Sequence, residues 1–178
     1  MLNRILRRPP FIRERGAAVR FFPLLALAAS LSACGGGVSG PAPDFSLSSP
    51  DGRTVTLSGQ KGRVVLLNFW ATWCDSCREE FPALEELRRA RAADAFELLA
   101  VSVDEEPAQV VPSFAAKNGL KFQILYADRR TMDAYAVRML PTSFLIAPDG
   151  TIARRYIGPL DARAVENDIL TLLNRRHS

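Results

Sequence analysis

The stretch Val64-Val65-Leu66-Leu67-Asn68-Phe69-Trp70, followed two residues later by Trp73-Cys74-Asp75-Ser76-Cys77 and then by Arg78-Glu79-Glu80-Phe81, decides how this chain is read. The first run is almost continuously apolar, as expected of a central strand covered on both faces. The third begins a helical pattern with Phe81, Leu84 and Leu87 on one side and charges elsewhere. The two thiols therefore fall at a strand-to-helix junction, with Cys74 near the helix N-terminus. Unpaired backbone N–H groups and the positive end of the helix dipole favour a thiolate there. A thiolate beside a second thiol is the chemistry of disulfide exchange.

Outward from that junction the chain reads as alternating elements. Asp44–Leu47 and Thr54–Leu57 flank Ser49-Pro50-Asp51-Gly52, a hairpin signature. A helix is expected over about 75–92 and a buried strand over 96–103. Pro107 starts a second helix that ends at Asn118-Gly119. A strand over 122–126, a short helix over 131–137, a strand over 143–146, a turn at Pro148-Asp149-Gly150, a strand over 151–157 and a helix over 161–174 complete the order. Such an order describes a three-layer α/β domain around a mixed sheet.

The chain of 178 residues carries a formal charge of +4, but the excess sits at its start. Six Arg and one Glu precede Cys34; from Cys34 onward there are 17 basic and 18 acidic residues. The folded part is close to neutral, so nucleic-acid binding is not expected. An Arg-rich segment to Arg20, an apolar run Phe21–Ala29 and small residues at Ser30, Ser32 and Ala33 read as an export signal. The apolar run is about half of the roughly 20 residues that span a bilayer. Leu31-Ser32-Ala33-Cys34-Gly35 resembles a bacterial lipobox, in which the cysteine is lipidated and becomes the new N-terminus. The competing reading is an ordinary cleavage site with Cys34 as a bystander. Lipidation would account for the odd cysteine among three in an exported protein. It would also hold the domain at a membrane by burying CH₂ groups worth about 0.8 kcal/mol each. The expected organisation is a signal peptide at 1–33, a lipidated Cys34 with a Gly-rich tether to 43, and a folded domain at 44–178. Nine tether residues would have an r.m.s. span of about 15–18 Å.

Asn68-Phe69-Trp70-Ala71-Thr72-Trp73-Cys74-x-x-Cys77-Arg78-x-Glu80-Phe81-Pro82 resembles the thioredoxin-like TlpA/ResA proteins. The upstream Ala42-Pro43-Asp44-Phe45 and the downstream Leu140-Pro141-Thr142-Ser143-Phe144-Leu145-Ile146 extend the match over about residues 42–176. The resemblance implies a thioredoxin-like fold with a mixed central β-sheet, helices on both faces, an N-terminal β-hairpin and a central αβ insertion at about 104–127. It implies an extracytoplasmic, membrane-tethered thiol–disulfide oxidoreductase acting on protein thiols and disulfides, apocytochrome c among them, and drawing electrons from a membrane donor. No cofactor is expected.

Residue by residue, Cys74 is the expected nucleophile and Cys77 the thiol that resolves the mixed disulfide. A purely structural bridge is the alternative, but so short a loop adds little stability. A zinc site lacks ligands, with one Cys pair and a lone His177. A copper-binding module of the Sco type would need CxxxC spacing. Asp75 and Ser76 are expected to tune the couple. A carboxylate near Cys74 disfavours the thiolate and moves the pair from strong oxidants near about −120 mV toward the thioredoxin end near about −270 mV. Asp75 as a plain helix cap is the other reading. Glu80, one turn past Cys77, is a candidate proton carrier if buried and a solvated surface acid if not. In thioredoxin a buried Asp matches Asn68, which cannot titrate. By the resemblance, Leu140-Pro141-Thr142 carries the cis-proline beside the active site, although only about 5–6% of X–Pro bonds are cis. Leu140 would then pair strand-like with a substrate peptide. Trp73 should be partly exposed beside Cys74 and Trp70 should be core; Pro82 reads as structural. A reductase of protein disulfides leads; a disulfide-forming oxidase and a peroxiredoxin-like peroxidase remain as alternatives. Peroxiredoxins place Thr or Ser three residues before the reactive cysteine, and here that position is Ala71.

Overall fold

The computed structural model describes residues 40–175. The expected signal segment, Cys34 and His177 lie outside them. Strands β1 (Ser46–Ser48) and β2 (Thr54–Thr56) form an antiparallel hairpin, with Leu47 opposite Val55. Gly52 closes its turn at φ 79°, a left-handed conformation that costs glycine nothing.

The main sheet holds β3 (Val64–Trp70), β4 (Phe96–Ser102), β5 (Gln123–Tyr126), β6 (Thr142–Ile146) and β7 (Ile152–Ile157), in the order β5-β4-β3-β6-β7. Strand β3 lies at the centre, parallel to β4 and antiparallel to β6, and every one of its residues is buried. Its side chains alternate between two cores. Val64, Leu66 and Trp70 meet helices α1 (Asp75–Ala90), α2 (Pro107–Asn118) and α4 (Ala162–Asn174) through Phe81, Leu84, Val111, Val165 and Ile169. Val65, Leu67 and Phe69 meet the hairpin and the end of α3 (Arg129–Ala134) through Phe45, Leu47, Leu57, Tyr135 and Val137. Period-two alternation on a strand covered on both sides explains why that run is apolar throughout.

Most boundaries agree with the periodicity to within a residue or two. Helix α2 ends as expected at Asn118, with Gly119 left-handed at φ 65°. Helix α3 differs, starting at Arg129 rather than 131 and ending at Ala134 rather than 137. Asp128 caps it by accepting from Thr131 N–H at 2.7 Å, and the chain turns left-handed at Ala136, φ 47°. Helix α1 runs through Pro82 without interruption.

The expected tether also needs correction. Residues 40–43 are attached to the domain: Ala42 N–H donates to Gly150 O and Ile152 N–H to Gly40 O, both at 2.9 Å. The Tyr135 hydroxyl donates to Pro43 O at 2.7 Å. Glycine and proline content suggested a loose linker there, but the pairing partner is more than a hundred residues away in sequence. Among the described residues, no helix is long and apolar enough to cross a membrane.

Candidate active site

Strand β3 delivers the chain to Ala71, and α1 begins at Asp75, so the Trp73-Cys74 segment spans the gap at the C-terminal edge of the sheet. Cys74 is the N-cap of α1, and its Sγ accepts from Cys77 N–H at 3.2 Å. Ser76 Oγ lies 3.5 Å from the same sulfur. An N-terminal donor aimed at this atom stabilises negative charge on it when the pair is reduced. The sulfurs of Cys74 and Cys77 are bonded to each other. Cys74 keeps 7% of its surface and Cys77 none, so a partner in solution meets Cys74 first.

Cys74 opens onto a groove of about 1170 Å³ lined by Trp73, Asp75, Ser76, Val110, Met139 and Leu140, among others. Trp73 is 67% exposed, large for an aromatic ring, and Met139 and Val110 are exposed beside it. The groove also carries Glu79, Glu105 and Glu106, none of which joins an ion pair among the described residues. Leu140 precedes a cis peptide bond to Pro141, and its backbone finds no partner among the described residues. Pro141 and Thr142 are buried behind it, with Thr142 Oγ1 donating to Met139 O at 2.8 Å.

Asp75 does not act as an isolated anion. It is paired with Arg78 one turn on, and Arg78 Nη1 also donates to Thr72 O at 3.3 Å. The neighbouring cation offsets much of the repulsion expected between Asp75 and a thiolate. Glu80 is buried, which removes the solvated-surface reading. Its Oε1 accepts from Asn68 Nδ2 at 2.7 Å and its Oε2 from Leu160 N–H at 3.0 Å. Burial pushes its carboxyl above the ordinary range, and the two donors offset that only in part.

Asp104, at the end of β4, was not singled out from sequence. It accepts from Thr72 N–H at 3.1 Å, Thr72 Oγ1 at 2.7 Å and Ser102 Oγ at 2.7 Å. The carboxylate thereby fastens the segment that leads into Cys74. Nothing local marks this residue; only the parallel pairing of β3 with β4 brings it beside Thr72. Trp70 is wholly buried against Phe81 and Phe114. Among the described residues, no three His, Cys, Asp or Glu side chains are grouped to hold a metal ion.

Comparison with known proteins agrees with this site. The AhpC/TSA family matches over residues 38–155. The thiol–disulfide oxidoreductase ResA of Bacillus subtilis is 36% identical over 133 residues, covering 74% of this chain and 73% of that protein. A Chlorobium tepidum crystal structure described as a thiol:disulfide interchange protein of DsbE type is 34% identical with a TM-score of 0.71, covering 76% of this chain and 96% of that one. StoA from Bacillus subtilis is 29% identical with a TM-score of 0.63, covering 71% and 96%.

Proposed function

This chain belongs to the AhpC/TSA family and is a thiol–disulfide oxidoreductase of the ResA type, and on that premise we propose that it is a reductase of polypeptide disulfides held outside the cytoplasm by a lipid on Cys34. The observation that carries the reading is the Cys74–Cys77 bond with only Cys74 opening onto the groove. In the reduced enzyme the Cys74 thiolate attacks one sulfur of a substrate disulfide. The Cys74–S bond forms as the substrate S–S bond breaks, and the departing sulfur leaves as a thiolate. Cys77 then passes its proton to the Glu80 carboxylate and attacks Cys74, releasing the second substrate thiolate. The substrate gains two electrons and the enzyme keeps the disulfide seen here. A membrane-bound dithiol donor restores the reduced pair.

Trp73, Val110, Met139 and Leu140 offer the substrate an apolar bed, and the free backbone of Leu140 suits an extended strand. The resemblance to TlpA/ResA proteins makes apocytochrome c the first substrate to test. Asp75, Ser76, Pro141 and Thr142 shape the site around the sulfurs. The leader and Cys34 support export and anchoring; a Cys34→Ala variant is expected to move from the membrane to the soluble fraction.

The family match favours a peroxidase as the second reading. Against it, Ala71 stands where those enzymes place Thr or Ser, and the Thr72 hydroxyl is given to Asp104.

The deciding experiment replaces Cys77 by Ser and identifies what remains covalently bound to Cys74. Exported polypeptides with paired cysteines are expected. Absence of any adduct while Cys74 still reacts with iodoacetamide, or fast turnover of hydrogen peroxide by the intact pair, would overturn the reading. A redox titration separates reductase from oxidase, near about −270 mV for the first and about −120 mV for the second.

A further inference from the structure

One turn beyond Cys77, buried side chains from three elements meet. Asn68 at the middle of β3 donates through Nδ2 to Glu80 Oε1 on α1 at 2.7 Å and to Ser143 Oγ on β6 at 2.9 Å. Ser143 stands directly opposite Asn68 in the β3–β6 register. The second Glu80 oxygen accepts from Leu160 N–H, in the segment between β7 and α4. Both amide hydrogens of Asn68 are therefore committed, while its Oδ1 is buried with no partner. A buried acceptor left dry is unfavourable and calls for a reason.

The arrangement suits an ionised Glu80, which only accepts. Once Glu80 takes a proton, one of its oxygens must donate, and each of them now faces an N–H. The unused acceptor in this group is Asn68 Oδ1. A half-turn of the amide exchanges Nδ2 and Oδ1: it gives the Glu80 O–H an acceptor and moves the NH2 to the place where Oδ1 stood without a partner, so the turned form is favoured only while Glu80 holds its proton. The Ser143 hydroxyl, able to donate or accept, turns its hydrogen to the same oxygen.

We propose that Asn68 is a positioning residue whose side-chain amide turns over with the protonation of Glu80, holding both forms of that carboxyl in one buried place during thiol exchange. The inference rests on the reading of Glu80 as the proton-handling group. The groups bonded to Glu80 are the uncharged Asn68 amide from β3 and the Leu160 N–H from the segment before α4, Ser143 on β6 is bonded to Asn68 alone, and no ion pair reaches Glu80 among the described residues. On its own helix the titratable residue one turn back is Cys77. With no charged neighbour to supply compensation, the amide is the element that distinguishes the two protonation states. Burial moves the Glu80 titration upward, toward the pH of thiol chemistry. Asparagine suits this task better than the aspartate of thioredoxin, since it offers both a donor and an acceptor without adding a second charge.

The test follows the Asn68 side-chain amide signals of the oxidised, ¹³C,¹⁵N-labelled protein by NMR while pH is raised. The two Asn68 N–H signals are expected to move through the same inflection as the Glu80 carboxyl carbon, and to lose that inflection in Glu80→Gln. In kinetics, Asn68→Leu should displace the pH inflection of thiol exchange upward by about one unit, because a donor to the charged form is gone. Asn68→Asp, similar in size, should add a second inflection from two carboxyls sharing a proton; it carries the kinetic test should Asn68→Leu not fold. Amide signals that stay constant while Glu80 titrates, or wild-type pH profiles in the Asn68 variants beside an altered one in Glu80→Gln, would overturn the role of Asn68 alone. A wild-type profile in Glu80→Gln would instead remove Glu80 from the mechanism.

Discussion

Thr72 gives both of its donors to Asp104, the backbone N–H at 3.1 Å and the hydroxyl at 2.7 Å. This pair ties the loop that presents Cys74 to the end of the neighbouring strand, where Ser102 completes the shell of the carboxylate. The position of Cys74 is thus set in part from outside the Cys74–Cys77 motif.

Asp104→Ala should therefore loosen the approach to Cys74 as well as the fold. Its removal strands the Thr72 N–H and two hydroxyls, at a cost of about 2 kcal/mol. Urea unfolding is expected to show that loss. Exchange of Cys74 with a peptide disulfide should slow by about tenfold or more, because small misplacements of a reacting atom are expensive. Wild-type exchange in a destabilised variant would show that Asp104 serves stability only.

The Asp75–Arg78 pair makes two opposite predictions. Asp75→Asn removes an anion and frees a cation beside the loop, favouring the thiolate and raising the midpoint potential. Arg78→Gln should lower it. Asp75 is largely exposed and Arg78 nearly half exposed, so each shift should be small, about 10–20 mV. Equilibration with a dithiol buffer at fixed pH measures both, and shifts of the same sign in the two variants would rule out this electrostatic account.

Glu80 predicts a particular pH dependence of stability. Its carboxyl is raised in the folded chain, so the folded state holds the proton more tightly than the unfolded state. Relative to Glu80→Gln, the stability it contributes is complete below about pH 4.3, the unperturbed value, and is lost as pH rises through the raised folded value. The difference amounts to about 1.4 kcal/mol for each unit of elevation. Denaturation of both proteins at a series of pH values checks it; parallel curves would contradict a raised Glu80.

The unpaired Glu79, Glu105 and Glu106 predict a preference for substrates with basic flanks. Changing all three to Gln should raise KM for a Lys-flanked peptide disulfide by about tenfold at low salt, with little change for a neutral peptide. The difference should shrink above 0.1 M salt, where screening acts over about 10 Å. Equal KM values for cationic and anionic peptides in the unaltered enzyme would show that the rim plays no part in selection.

What the amino-acid order determined by itself is the succession of elements and the place of the redox pair. The apolar run of β3, the charge pattern of α1, Pro107 and Gly119 at the ends of α2, and the thiols at the mouth of a helix all follow from interactions within a few residues along the chain. Tertiary structure decided the partners. Thr72 meets Asp104 across 32 positions, Asn68 meets Ser143 across 75, and Glu80 meets Leu160 N–H across 80. Such contacts depend on which strands lie side by side and in what register, and no local pattern encodes that. Burial of Glu80 belongs with them: helical spacing put it one turn from Cys77, but only the packing of α1 against the sheet closed it off from water.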